Sequence, residues 1–335
     1  MNYVVRLTDQ NISFEANEKE SILEAALRQG LNLPYGCRNG ECGSCIATIK
    51  SGSYSYKAAS EYTSQNKLEN NHILLCQARA SSDIEIEARI VDTQTKIAIK
   101  QFPARVKISE KLNDSVMRII LELPKTESLE FSPGQYIDLI LPGGKRRSFS
   151  LANPPHEDQI IELHVRYYDG GLFSEYAFKV LKDNSLMKIE GPLGQFTLQK
   201  SERPIIMVAG GTGFAPIKSI VEYMLEINDP RTLHIYWGAR VETDLYLNKM
   251  VNEWVNKYPH ISYSPVLSDV DAQSNWSGKT GYVHEAVLED YSDLSDHDVY
   301  ACGPPPMIDA VIQTFPEHHL REENLFSDSF EIAKN

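Results

Sequence analysis

Four cysteines near the start of the chain have types and spacing that suit metal chemistry. Cys37, Cys42 and Cys45 are arranged as C-x4-C-x2-C, and Cys76 follows well downstream. Four thiolates in this order are the ligand spacing of a plant-type [2Fe–2S] cluster, in which four cysteines hold two irons. The spacing therefore predicts a one-electron carrier.

Small residues separate the first three cysteines. Gly36, Gly40, Gly43 and Ser44 allow the sharp bends that bring backbone N–H groups close to the sulfur atoms. Hydrogen bonds to the sulfurs help to set the potential of the cluster, which is near roughly −400 mV in plant-type centres.

Two other uses of the cysteines are possible. Structural zinc is usually held by two closely spaced pairs, whereas here three cysteines share one loop and the fourth stands alone. A disulfide framework is disfavoured because 335 residues contain five cysteines, and the first residues read as a strand and not as a secretory signal. The cluster is the preferred interpretation.

Length and composition indicate an ordinary globular protein of two or three domains. The net charge of −13 argues against nucleic-acid binding, which requires a basic patch. No stretch approaches the roughly 20 apolar residues of a membrane-spanning helix. We expect a cytoplasmic monomer that contacts neither nucleic acid nor membrane.

The first segment has the pattern of a small mixed domain. A helix is predicted from Ser21, because Glu24 completes a capping box and Gly30 provides a stop. Strands are predicted at residues 2–7, 12–16, 46–49 and 84–87. Together with the cysteine spacing, residues 1–92 resemble a plant-type ferredoxin, a β-grasp domain. The resemblance implies that the cluster ligands are Cys37, Cys42, Cys45 and Cys76.

A polar linker is predicted at residues 91–96, and residues 98–200 then read as short strands between prolines. This pattern is typical of an antiparallel barrel or sandwich. Three runs in it could contact a flavin, since an Arg pairs with pyrophosphate, an aromatic ring lies on the isoalloxazine and a Ser bonds its polar edge. The runs are 147–153, 163–166 and 170–174.

In this order the runs resemble the flavin domain of the ferredoxin–NADP reductase superfamily, an antiparallel β-barrel. The resemblance implies FAD, with FMN as the alternative. It places Ser150 near flavin N5 and Gly171, Leu172, Phe173 and Ser174 on the pyrophosphate. The other implied flavin residues are Arg147, Ser148, Phe149, His164, Val165 and Arg166. Phe149 departs from the family, which commonly has Tyr there, so one hydroxyl contact is missing.

Residues 201–335 alternate apolar strands with helices, which predicts a doubly wound parallel sheet. Helices are expected at 217–227, 245–255 and 284–288. A glycine-rich turn at residues 210–213 follows the first buried strand, where backbone N–H groups meet a pyrophosphate. The runs at 236–240 and 302–307 fall at other strand ends, and ligands of open α/β sheets bind there.

These runs resemble the NAD(P)H domain of the same superfamily. The resemblance implies Gly211, Thr212 and Gly213 at the pyrophosphate, and Cys302 and Gly303 beside the nicotinamide. Cys302 could instead be a buried core thiol. The segment 325–330 resembles the aromatic closure over the flavin, for which Phe330 is chosen over Phe326, with core packing as the alternative.

The whole chain thus reads as a multidomain α+β and α/β protein made of a β-grasp ferredoxin, a β-barrel flavin domain and a parallel-sheet nucleotide domain. The resemblance is to reductase components of bacterial oxygenases and to CDP-6-deoxy-3,4-glucoseen reductases. It implies an oxidoreductase in which Ser150 and Cys302 serve hydride transfer, and electrons pass from NADH through FAD and the cluster to an oxygenase or dehydratase component.

Two questions stay open at this stage. NADH is favoured over NADPH because Glu242 and Asp244 accompany the single Arg240 after the second strand. The alternatives to the electron-transfer function are a reductase of free flavin, in which the cluster is peripheral, and a binding protein without working cofactors.

Overall fold

The computed structural model describes residues 1–8, 11–38, 40, 42–56, 68, 71–90, 98–270 and 275–330. The chain divides into two compact units, Met1–Ile97 and Ala98–Asn335, and each is described by itself. The predicted linker at residues 91–96 lies outside the described residues. Within those residues, no helix has the length and apolar character needed to cross a membrane.

The first unit contains a mixed five-stranded sheet and one helix. The sheet order is β2-β1-β7-β3-β5, and two further strands, β4 and β6, pair separately. The elements are β1 (Asn2–Leu7), β2 (Ile12–Asn17), α1 (Ile22–Arg28), β3 (Ile46–Ser51), β4 (Tyr54–Tyr56), β5 (His72–Leu74), β6 (Ala78–Ala80) and β7 (Ile84–Glu87). Strand β1 is antiparallel to β2 and parallel to β7, as a β-grasp domain requires.

Helix α1 confirms the predicted capping box. Ser21 Oγ accepts a hydrogen bond from the Glu24 N–H at 3.1 Å, and the Glu24 carboxylate accepts one from the Ser21 N–H at 2.8 Å. The helix ends before Gly30, whose φ of 74° lies in the left-handed region. The Leu23 N–H donates to the Leu75 carbonyl, which ties the helix to the residue that precedes Cys76.

The second unit begins with an antiparallel barrel. Its six strands have the order β11-β10-β13-β8-β9-β12. The Ala152 N–H, just after β11, donates to the Glu162 carbonyl in β12 at 2.8 Å and joins the two edges of the sheet. The elements are β8 (Lys100–Lys111), β9 (Val116–Glu122), β10 (Tyr136–Ile140), β11 (Arg146–Ser150), β12 (Ile160–Arg166), α2 (Leu172–Lys179) and β13 (Leu186–Leu193).

The rest of the unit is a six-stranded parallel sheet with the order β17-β16-β15-β14-β18-β19. Its strands are β14 (Ile205–Gly210), β15 (Leu233–Ala239), β16 (Ile261–Leu267), β17 (Lys279–Thr280), β18 (Asp298–Gly303) and β19 (Leu325–Ser329). Its helices are α3 (Phe214–Glu226), α4 (Asn248–Lys257), α5 (Val283–Asp290) and α6 (Pro305–Thr314). The strand order reverses between β14 and β18, and the crevice at such a point is where ligands bind.

The sequence predictions for this sheet differed from the structure in detail, and helix α4 begins at Asn248 and not at residue 245. Helix α3 begins at Phe214 and not at Ile217, because the 3₁₀ turn Gly211–Gly213 runs directly into it. Pro216 does not delay the start, since the first helical turn has no intrahelical use for its missing N–H. Residues Leu325–Ser329 form strand β19, which pairs with β18 and was not predicted.

Candidate functional site

The four predicted cluster ligands form two pairs. The Cys45 and Cys76 sulfur atoms lie 3.2 Å apart. The backbone N–H of Cys37 donates to Cys42 Sγ at 3.3 Å, and that of Cys42 donates to Cys37 Sγ at 3.4 Å. All four are free cysteines. Among the described residues, no group of three or more His, Cys, Asp or Glu side chains converges on a single-metal site, so the cysteines are described as pairs.

The loop around the first pair is tightly packed at Gly36. A Cβ added to Gly36 would lie 3.2 Å from Cys42 Sγ. Arg38, Gly40 and Gly43 have φ values of 60°, 87° and 76°, which turn the chain around the sulfurs. Residues 39 and 41 lie outside the described residues. Two cysteine pairs fit a group with two irons, in which each iron takes two thiolates.

Electrostatics in this loop favour the ligand form of a cysteine. Hydrogen bonds, first from Cys37 and then from Ser44, lower the pKa of Cys42 to about 5 despite its burial. A thiol with a lowered pKa is deprotonated at neutral pH, and the thiolate is the form that binds metal.

Strand β11, which carries four of the predicted flavin residues, has two faces. Arg147 and Phe149 alternate with Ser148 and Ser150, and Phe149 packs against the barrel core with its ring 5.2 Å from that of Phe173. The Ser148 hydroxyl donates to buried Asp138 at 2.7 Å. Ser150 is 7% exposed, and its hydroxyl makes no hydrogen bond to another described residue. Of the two serines, Ser150 therefore has a hydroxyl available to a ligand.

The Arg147 side chain is half-buried. Its guanidinium donates to the Arg146 carbonyl at 2.8 Å.

Gly170 and Gly171 form a tight turn directly before helix α2. A Cβ on Gly171 would collide with Ser174 Oγ and would lie 2.9 Å from the Tyr168 carbonyl oxygen. The Ser174 hydroxyl accepts from the Tyr168 N–H at 3.1 Å and so holds the turn. Phe173 is buried in the barrel, whereas Leu172 is exposed. The Gly170 N–H donates to the Glu175 carboxylate at 3.1 Å and the Gly171 N–H donates to the Tyr168 carbonyl at 3.0 Å. The predicted FAD pyrophosphate would therefore depend on the N–H groups of the first helical turn, which begins at Leu172.

Strand β12 places its three predicted residues differently. Val165 is fully buried in the barrel core, which leaves only its backbone for a flavin contact. The His164 ring lies 3.0 Å from both Glu162 and Tyr246, so its side chain has partners within the protein. Arg166 reaches the nucleotide sheet, where its Nη1 lies 2.7 Å from the position of a Cβ on Gly211. A cation therefore stands beside the predicted pyrophosphate turn.

The nucleotide turn lies at the reversal point of the parallel sheet. A Cβ on Gly213 would collide with the Cys302 carbonyl, and one on Gly303 would lie 3.0 Å from Gly210 Cα. Thr212, between the two glycines of the turn, is half-buried. Glycine is thus required where β14 and β18 end, because the two backbones approach closely there. Dinucleotide-binding folds place the pyrophosphate at a turn of this kind.

The residues predicted at the nicotinamide are partly buried in the core. Cys302 has no exposed surface, and burial raises the pKa of its thiol. This placement agrees with the alternative of a buried core thiol. The Phe326 and Phe330 side chains both pack against the core of the parallel sheet, and the Phe326 ring stacks on Tyr300 at 4.8 Å. The Phe330 N–H donates to the Gly303 carbonyl at 2.8 Å, which places the Phe330 backbone at the end of β18.

Comparisons with known proteins agree with three modules in a fixed order. Residues 5–81 match the 2Fe-2S iron-sulfur cluster binding domain, residues 103–198 the oxidoreductase FAD-binding domain, and residues 207–313 the oxidoreductase NAD-binding domain. The chain is 41% identical, over 100% of both chains, to the CDP-6-deoxy-L-threo-D-glycero-4-hexulose-3-dehydrase reductase of Yersinia pestis. It belongs to the iron–sulfur flavoprotein reductases of the ferredoxin–NADP reductase superfamily.

Other members of this reductase family serve different reactions. The phenol hydroxylase P5 protein of Acinetobacter pittii is 34% identical, over 98% of this chain and 95% of its own length. The crystal structure of the Amycolatopsis cytochrome P-450 reductase GcoB superposes with a TM-score of 0.82 at 30% identity, over 98% of each chain. The chain is an NAD(P)H-dependent oxidoreductase with [2Fe–2S], FAD and NAD-binding modules. The predicted cofactors, enzyme class and fold class are confirmed.

Sequence reasoning missed the polar contacts between the two halves of the reductase core. Lys218 in α3 donates to the Ala152 carbonyl at 3.0 Å and pairs with Glu162 at 3.3 Å. The neighbouring Ser219 hydroxyl donates to the Asn153 carbonyl at 2.7 Å. A lysine inside an apolar helix pattern was the available signal, because such a residue needs a buried partner.

A second missed residue lies at the cluster loop. The Gln77 side-chain N–H₂ group donates to the Arg38 carbonyl at 3.0 Å and lies 3.7 Å from Cys76 Sγ. Only its position directly after the fourth cysteine distinguishes it in the sequence.

Proposed function

We propose that the chain is the reductase of a dehydrase that acts on a CDP-6-deoxyhexulose, to which it delivers electrons from NADH one at a time. The observation that carries this proposal is the 41% identity to such a reductase over the full length of both proteins. The identity to the phenol hydroxylase P5 protein is 34% over a similar span.

The chemistry of the three groups supports this role. A nicotinamide yields two electrons as hydride, a flavin takes both and releases them singly, and an iron–sulfur cluster carries one. The protein supplies the binding sites and the order of the modules. We assign residues 1–92 to the cluster domain, 98–200 to the flavin domain and 201–335 to the nucleotide domain. The compact unit that ends at Ile97 and the separate module matches support these boundaries.

The residue assignments follow from the placement of the side chains. We assign Cys37, Cys42, Cys45 and Cys76 as cluster ligands, supported by their two-pair arrangement. Ser150 is assigned to the flavin edge because the residue is 7% exposed and its hydroxyl makes no hydrogen bond to another described residue. The remaining assignments keep the predicted sets at the flavin (Arg147, Ser148, Phe149, His164, Val165, Arg166), at its pyrophosphate (Gly171, Leu172, Phe173, Ser174) and at the nucleotide (Gly211, Thr212, Gly213, Cys302, Gly303, Phe330).

For three of these residues, we propose which atoms contact the cofactor. Val165 and His164 are assigned through their backbone atoms, since their side chains are used within the protein. Cys302 is assigned to the wall of the nicotinamide site, where its buried thiol would shape the site by packing. A cytoplasmic location and a monomeric state belong to the same proposal, and cell fractionation and size-exclusion chromatography test them.

Reconstitution with purified partners tests the proposal. The protein loaded with both cofactors is supplied with NADH and either a CDP-6-deoxy-L-threo-D-glycero-4-hexulose-3-dehydrase or a phenol hydroxylase, and product formation is measured. We expect turnover at least about tenfold faster with the dehydrase, which corresponds to about 1.4 kcal/mol of discrimination. Faster turnover with the hydroxylase would contradict the proposal and would indicate that the chain is an oxygenase reductase. Preferential reduction of free FMN would favour a flavin reductase.

A further inference from the structure

A buried carboxylate in strand β12, that of Glu162, determines the tautomer of His164. Glu162 is 4% exposed, and it accepts from His164 Nε2 at 3.0 Å, from Arg118 at 3.1 Å and from Lys218 at 3.3 Å. Burial opposes ionisation, yet the His164 hydrogen bond and the charges of Lys218 and Arg118 lower the pKa of Glu162 to about 2. Glu162 is therefore an anion that can only accept hydrogen bonds.

The tautomer of His164 follows from this anion. Its Nε2 must carry the proton that faces Glu162. Burial lowers the pKa of His164, so the ring is neutral and its Nδ1 is an acceptor. Tyr246 fits this acceptor, because its hydroxyl lies 3.0 Å from Nδ1 and burial raises the pKa of the phenol. Tyr246 thus donates a hydrogen bond from the nucleotide half of the unit to the flavin barrel.

Tyr246 is also linked to the glycine-rich turn at residues 211–213, through Trp237. Its ring packs edge-on against Trp237 at a centroid distance of 5.1 Å. The Trp237 indole N–H donates to the Gly211 carbonyl at 2.9 Å, and its ring stacks on Phe214 at 3.9 Å. Trp237 therefore holds both the first residue of the glycine turn and the residue that follows the turn.

We propose that Tyr246 is a positioning residue for hydride transfer. Through the chain His164, Tyr246, Trp237 and Gly211, it fixes the turn that binds NADH relative to the strand that binds FAD. Transfer between two bound cofactors depends steeply on their separation, and a misplacement of about 1 Å can cost on the order of 100-fold in rate. The proposal rests on the NADH-to-FAD step of the family and on the assigned positions of the two cofactors, and is independent of the partner protein.

The test compares two Tyr→Phe variants of the full chain. Tyr246→Phe removes the hydroxyl that donates to His164. Tyr263→Phe is the matched control, because the Tyr263 hydroxyl is also buried and has no hydrogen-bond partner among the described residues. The first measurement is hydrogen–deuterium exchange of the peptide that covers residues 210–214, in protein that is loaded with both cofactors and kept free of NADH. We expect faster exchange in Tyr246→Phe and wild-type exchange in Tyr263→Phe.

The second measurement is stopped-flow reduction of the bound flavin by NADH. We expect the limiting rate to fall about 3- to 30-fold in Tyr246→Phe, as a sub-ångström displacement would produce, with FAD content and NADH affinity close to wild type. A variant that only loses thermal stability, with wild-type exchange at the turn and a wild-type limiting rate, would show that Tyr246 serves packing alone.

Two further outcomes are distinguishable. If Tyr246→Phe does not retain FAD, the double variant Tyr246→Phe/His164→Gln is measured instead, since it removes the imidazole acceptor left without a donor, and the same two results decide. If NADH does not reduce the flavin of the wild-type protein, the proposed electron transfer from NADH to FAD is wrong. A wild-type rate in Tyr246→Phe would instead contradict only the proposed role of Tyr246.

Discussion

The side-chain nitrogen of Gln77 lies 3.7 Å from the sulfur of Cys76. The same N–H₂ group donates to the Arg38 carbonyl at 3.0 Å, which joins the fourth cluster ligand to the loop that carries the first three. Because Arg38 has a left-handed φ of 60°, this hydrogen bond holds a backbone conformation that L-residues rarely adopt.

We expect Gln77→Leu to lower the midpoint potential of the cluster by about 30 to 60 mV, because an N–H···S hydrogen bond stabilises the reduced, more negative cluster. A redox titration followed by electron paramagnetic resonance measures the shift. Gln29→Leu is the matched control, since the Gln29 amide donates to the backbone carbonyls of Glu15 and Ala25. Equal potentials in wild type and Gln77→Leu would limit Gln77 to a structural role.

Ser150→Ala tests the assignment at the flavin edge. Ser150 is 7% exposed and its hydroxyl makes no hydrogen bond to another described residue, so its removal leaves no described protein group unsatisfied. We expect FAD to stay bound and flavin reduction by NADH to slow by roughly 10- to 100-fold, as for the loss of one oriented hydrogen bond. Stopped-flow absorbance measures the rate, and a wild-type rate would remove Ser150 from the reaction.

Cofactor preference depends on the charges after strand β15. Arg240 lies 3.6 Å from Asp269, and both side chains are exposed. Since Glu242 and Asp244 add negative charge, we expect a higher kcat/KM for NADH than for NADPH. Asp269→Asn should raise kcat/KM for NADPH by about two- to fivefold, because a surface ion pair that restrains Arg240 is lost. A wild-type preference for NADPH would contradict the charge argument.

The pH dependence of stability should include a contribution from His234, a half-buried histidine of the nucleotide sheet. Burial lowers the pKa of His234 to about 4 in the folded protein, against about 6.5 in the unfolded chain. Between these values the unfolded state binds more protons, so stability falls as the pH decreases from 6.5 to 4. We expect the drop in Tm between pH 7 and pH 5 to be smaller in His234→Gln than in wild type. Equal drops would contradict the assigned pKa.

Much of the fold could be predicted because its signals are local. Cysteine spacing, the capping box of Ser21 and Glu24, and alternating strands and helices each depend on residues close in sequence. Gln77 and Tyr246 could not be predicted in the same way. Their partners Arg38 and His164 are 39 and 82 positions away, and only the folded chain brings the groups within hydrogen-bond distance.

Long-range packing also explains why the sequence could not predict the side-chain directions of two site residues, His164 and Cys302. The family resemblance implied that His164 and Cys302 lie near the cofactors, but the direction of a side chain depends on which face of the strand is covered. In β12 the nucleotide half covers the face of His164, and in β18 the core covers the thiol of Cys302.

The central claim is that electrons leave the flavin through the cluster, and Cys42→Ser tests it most directly. The second compact unit, Ala98–Asn335, contains the whole barrel and parallel sheet, so the variant should keep a folded flavin core. NADH-dependent reduction of ferricyanide and of the partner dehydrase are measured side by side. We expect ferricyanide reduction to persist and partner reduction to collapse, whereas full partner reduction by Cys42→Ser would contradict the account.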